Sequence, residues 1–60
     1  MTGLPIAGLE QVYDEIALAL DRVGPDKGEL MLAKLALLLA DAVGDAQRVT
    51  ELVEVATRDL

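Results

Sequence analysis

The sixty residues include eleven acidic and five basic side chains, giving a net charge of −6, and no cysteine or histidine. A chain this short buries only about 60% of the surface its unfolded form exposes. Without Cys or His it has neither a disulfide nor an ordinary zinc site as a staple, which leaves association as the stabiliser. The acid excess repels nucleic-acid phosphates and anionic bilayers, so neither is expected as a partner, whereas an acidic patch can steer the chain toward a basic protein.

The chain opens on residues 1–7, where Gly3 and Pro5 disfavour regular structure, and a flexible N-terminal arm is expected there. These residues lack a positive n-region and a long apolar run, so no secretory signal is expected. A single helical domain should occupy residues 8–60. Its first helix, 8–23, carries Leu9, Val12, Tyr13, Ile16, Leu20 and Val23 at the spacing of one buried stripe. Glu10 near its start and Arg22 near its end suit the helix dipole. Tyr13, the one aromatic residue, falls within the stripe, with its ring expected in the core and its hydroxyl at the rim.

Gly24-Pro25-Asp26 then stops this helix and starts the next. Glycine suits the left-handed residue after a helix, and proline cannot continue it. Asp26 with Glu29 three residues later reads as a capping box.

The second helix, 26–43, is unlike its neighbours. Its polar wedge is narrow, made of Lys27, Lys34 and Asp41, beside an aliphatic arc of Met31, Leu32, Leu35, Leu38, Leu39 and Val43. Ala33, Ala36 and Ala40 form a strip of small residues on another side. The apolar arc covers about 300°, against about 100° for an ordinary surface helix. Even so, the run 30–43 is interrupted by Lys34 and Asp41 and is shorter than the ~20 residues that span a bilayer. No membrane helix is expected, and the chain reads as soluble and cytoplasmic, in keeping with its lack of cysteine.

Gly44-Asp45 repeats the stop-and-cap signal and opens a third helix, 45–59, with the stripe Val49, Leu52, Val53 and Ala56. Leu60 extends that stripe if the helix continues to it. Glu54 and Arg58 stand four apart, in place for a helical ion pair. The expected fold is therefore all-α. Its three short helices fold back as an antiparallel helical hairpin or three-helix unit, completed by oligomerisation or by a partner.

Catalytic chemistry finds few footholds. Serine, cysteine, histidine and asparagine are all absent, so no nucleophilic triad can be assembled. No Gly-rich phosphate loop is present, and the serine that carries a phosphopantetheine arm is missing. Among the carboxylates, Glu10 with Asp14, or Asp14 with Glu15, could be imagined as an acid–base or metal-bridging pair. The plainer reading is a solvated face shared with Gln11, Asp21 and Arg22. No enzyme activity, metal or cofactor is expected.

The surface is more informative. Two narrow stripes cannot cover the second helix, so Met31, Leu32, Leu35, Leu38 and Leu39 are expected to face a second copy or a larger protein. Leu18 and Val55 lie off their own stripes and are candidate rim contacts, although single exposed aliphatics are commonplace. Lys34 and Asp41, seven apart, are either a thin solvent-facing strip or charges that orient a partner.

The segment Leu32-Ala33-Lys34-Leu35-Ala36-Leu37-Leu38-Leu39-Ala40, then Val43-Gly44-Asp45 and a last helix carrying Ala56, resembles a family of short bacterial proteins, the domain of unknown function 2783. That family shares a leucine-rich helix followed by a Gly-Asp break, and the similarity runs from Val12-Tyr13 to Ala56. Its members are often encoded beside FAD-dependent aromatic-ring hydroxylases. The resemblance thus implies an accessory protein for a flavin-dependent enzyme, with no catalytic residues to carry over. From the residues alone, the leading function is a small non-catalytic interaction protein. The alternative is a helical binder of a small apolar ligand held near Tyr13.

Overall fold

A computed structural model describes residues 3–58 and 60. The fold is all-α, with three helices in chain order: α1 (Ile6–Val23), α2 (Gly28–Val43) and α3 (Ala46–Thr57). Met1, Thr2 and Asp59 lie outside the described residues, and with them the start of the expected arm and the expected last helical residue.

The helix ends follow from local chemistry. α1 begins two residues earlier than its stripe implies, because Pro5 stands at the N-cap with φ −62° and accepts from the Leu9 N–H at 3.0 Å. Proline has no N–H to leave unpaired there. Ile6 and Ala7, read from sequence as arm, are helical, and Glu10 consequently sits beyond the first turn. At the other end Gly24 takes φ 82°, ψ 168°, and its N–H caps the Leu20 carbonyl at 3.1 Å.

The capping box expected at Asp26 and Glu29 does not form. Residues 25–27 make a turn, closed by the Lys27 N–H on the Gly24 carbonyl at 3.2 Å, which delays the helix to Gly28. The N-cap therefore falls on Lys27, whose side chain makes no capping bond. The second break behaves as expected. Gly44 is left-handed at φ 74°, ψ 17°, with its N–H on the Ala40 carbonyl, and Asp45 Oδ1 accepts from the Arg48 N–H at 3.1 Å.

α3 is shorter than expected, since Arg58 has turned to extended backbone at φ −71°, ψ 143°. The Glu54–Arg58 pair is thereby lost. Arg48–Glu51, at 3.2 Å, is the one ion pair among the described residues, and both partners are half exposed.

The helices do not fold back on one another. Among the described residues, no two that are twelve or more apart in sequence bring their Cα atoms within 8 Å; α1 meets α2, and α2 meets α3, only around the joints. Close-packed helices run 8–10 Å apart along much of their length. The antiparallel pairing expected from the short connections is therefore absent. At the first joint Gly28, the one buried residue among those described, lies against Leu20. A Cβ at position 28 would stand 3.1 Å from Leu20 Cδ2, so a larger side chain there must displace that methyl or spread the joint.

This openness is measurable. The radius of gyration is 12.8 Å, where a compact chain of this length has about 10 Å. The accessible surface is 5496 Å², against about 3,800 Å² for a compact folded chain of 6.4 kDa. No apolar side chain among the described residues is buried. Ile16, Leu20, Met31, Leu35 and Val49 are half-buried, and the other large aliphatics are exposed.

Candidate functional site

α1 and α2 diverge from their joint as the two walls of a groove of about 880 Å³. The α1 wall is Val12, Ile16, Ala19 and Val23; the α2 wall is Leu30, Met31, Leu35, Leu38 and Leu39. Each set follows helical spacing, so each forms one continuous strip. Polar side chains line the edges: Gln11, Glu15 and Arg22 from α1, with Lys27 from the joint and Lys34 from α2.

The charge of this rim runs against that of the chain. Three of the five basic residues stand on it, with one of the eleven acids, Glu15. An apolar floor with a basic edge thus sits in a molecule of net charge −6. The floor is poorly covered: Leu30 is 58%, Leu38 68% and Leu39 54% exposed. Removing these three from water would contribute on the order of 1 kcal/mol or more each.

Four of the five central leucine and methionine candidates, Met31, Leu35, Leu38 and Leu39, lie together in this groove with Lys34. Leu32 is exposed on the other flank of α2, and Asp41 is exposed without lining the groove. Leu18 is exposed on α1 away from it, and Val55 belongs to a separate shallow hollow on α3 with Gln47, Thr50, Glu51, Glu54 and Arg58. Lys27 and Lys34 therefore flank apolar surface and do not form a detached strip.

Sequence reasoning missed the α1 wall as a surface, because a 3.6-residue stripe reads as core whenever a covering helix is assumed. It also missed a second exposed patch. Ile6, Leu9 and Tyr13 line a shallow hollow on α1 together with Glu10 and Asp14. Tyr13 is expected in the core, yet the residue is 73% exposed, since no helix among the described residues folds back over the first half of α1.

Among the described residues, no three His, Cys, Asp or Glu side chains gather where a metal could be held. Glu10 and Asp14 border the α1 hollow, whereas Glu15 edges the groove, so the helix-one carboxylates are divided between two surfaces. No helix among the described residues is long and apolar enough to cross a membrane.

Fold and surface together define a class: an all-helical chain with no buried apolar side chain among the described residues, presenting an open apolar groove. No protein-family model, curated protein or solved structure matches the chain.

Proposed function

We propose that the chain is a small, non-catalytic, cytoplasmic interaction protein whose helices are completed by another polypeptide lodged in the groove between α1 and α2. One observation carries the reading: every large apolar side chain among the described residues keeps contact with water, in a chain that is 53% hydrophobic by composition. Exposed apolar surface of this extent, edged by charge, is the signature of a docking site. Desolvation of Leu38 and its neighbours would provide the attraction, and the basic rim would orient the occupant.

The occupant is a second copy of the chain or a larger protein. By the family resemblance, the larger protein would be a flavin-dependent aromatic hydroxylase. A small apolar ligand is the alternative, expected near Tyr13; Tyr13 lines the α1 hollow, and it is the groove whose volume lies within the ~300–1,000 Å³ usual for ligand sites. That rival expects a monomer whose melting temperature rises with hydrophobic ligands.

Small-angle scattering and fluorescence of an apolar dye, followed over a dilution series, test the reading. The dilute chain should be expanded and should bind dye, and the dye should be expelled as chains associate or a partner is added. A monomer of about 10 Å radius of gyration that binds no dye at any concentration would overturn it.

A further inference from the structure

The molecule carries two exposed apolar surfaces of opposite edge charge. The first is the groove, edged by Arg22, Lys27 and Lys34 with a single acid, Glu15, so that its edge is net basic. The second is the outer flank of α1, where Ile6, Leu9 and Tyr13 lie beside Glu10 and Asp14. Asp21, seven residues after Asp14 and so on the same side of the helix, continues that acidic edge. The two edges match in pitch. Asp14 and Asp21 are seven residues apart within α1, about 10 Å along it, and Lys27, at the N-cap of α2, stands the same seven residues before Lys34.

We propose that the groove of one copy receives the Ile6–Leu9–Tyr13 flank of α1 from a second copy, with Asp14 and Asp21 set against Lys27 and Lys34. This rests on the interaction reading above and names its partner. The two surfaces do not meet within one chain, because the groove and the outer flank occupy different sides of α1. Two copies related by a twofold axis satisfy both contacts at once.

Area supports the same conclusion. The chain exposes 5496 Å², about 1,700 Å² more than a compact chain of its mass. A standard interface takes about 800 Å² from each partner. One such dimer would use roughly half the surplus.

A charge-exchange experiment on the full chain, read by sedimentation equilibrium, tests the proposal. The wild type should be a dimer. Lys27→Glu with Lys34→Glu makes groove and flank both acidic, and Asp14→Lys with Asp21→Lys makes both basic. Each double variant alone should weaken dimerisation by on the order of tenfold or more. An equimolar mixture should recover a dimer containing one chain of each kind, because both contacts again pair opposite charges, and a folding defect would not be repaired by mixing. A wild-type dimer indifferent to both substitutions, or variants that mixing does not rescue, overturns the proposal. So does a wild-type monomer. If that monomer is expanded and binds apolar dye, the interaction reading survives and the second copy is the wrong occupant; if it is compact and binds none, both fall.

Discussion

The two helix-ending glycines bear different strains. Gly44, at φ 74°, ψ 17°, is in the left-handed helical region, where a Cβ costs about 1–2 kcal/mol and asparagine is tolerated. Gly24, at φ 82°, ψ 168°, lies where essentially only glycine goes. Gly44→Ala should therefore destabilise the folded chain by about 1 kcal/mol, with Gly44→Asn recovering much of the loss. At position 24, Ala and Asn should be equally damaging, at about 1–3 kcal/mol each. Chemical denaturation at one fixed protein concentration compares all four; an Asn that rescues at 24 as it does at 44 would contradict these backbone angles. Asp45 offers a second test, since its carboxylate holds the Arg48 N–H at 3.1 Å. Asp45→Ala should cost about 1 kcal/mol, whereas Asp26→Ala, with no capping bond to lose, should change stability by no more than about 0.5 kcal/mol in the same experiment.

At the scale of the helix, α2 sets one leucine against its neighbour. Leu38 lies in the groove and Leu37 does not, although both are mostly exposed, at 68% and 73%. Leu38→Asp should place a charge in the contact surface and weaken association by tenfold or more, about 1.4 kcal/mol and upward, or unfold an already marginal chain. Leu37→Asp should change stability by no more than about 0.5 kcal/mol. Sedimentation with parallel circular dichroism separates the outcomes, and equal damage from both substitutions would mean that the groove is not the contact. The contrast also shows where sequence reading stops. Helix number and the Gly44-Asp45 break were legible because caps and left-handed glycines are local chemistry, settled within four or five residues. The exposure of Leu38 and Leu39 was legible because their helix has more apolar face than its neighbours can cover. Three features were not. The Asp26 cap was lost because residues 25–27 form a turn, which moves the N-cap to Lys27. The exposure of Tyr13 and the basic rim depended on whether the helices close, which is a question of tertiary angle that residue spacing does not encode.

For the whole molecule, the consequence of an open chain is that stability and association become one equilibrium. Compact domains unfold with a heat-capacity increment of about 12–15 cal/mol/K per residue, or roughly 0.7–0.9 kcal/mol/K for sixty residues, because unfolding exposes the hidden apolar surface. Here less is hidden, since the isolated chain keeps 5496 Å² in contact with water, where a compact chain of its mass keeps about 3,800 Å². Ile16, Leu20, Met31 and Leu35 are only half-buried by their own chain in this open arrangement. An associated state that shields them hides more surface per chain than the monomer does, and mass action makes its melting midpoint rise with protein concentration. Calorimetry over a hundredfold concentration range should therefore show a rising midpoint, with the heat-capacity increment per chain growing toward the compact value as the associated form takes over. A midpoint independent of concentration, with a full compact increment even at the lowest concentration, would require the three helices to close on themselves in solution. Leu38, Leu39 and Tyr13 would then be core residues, with no surface left to offer.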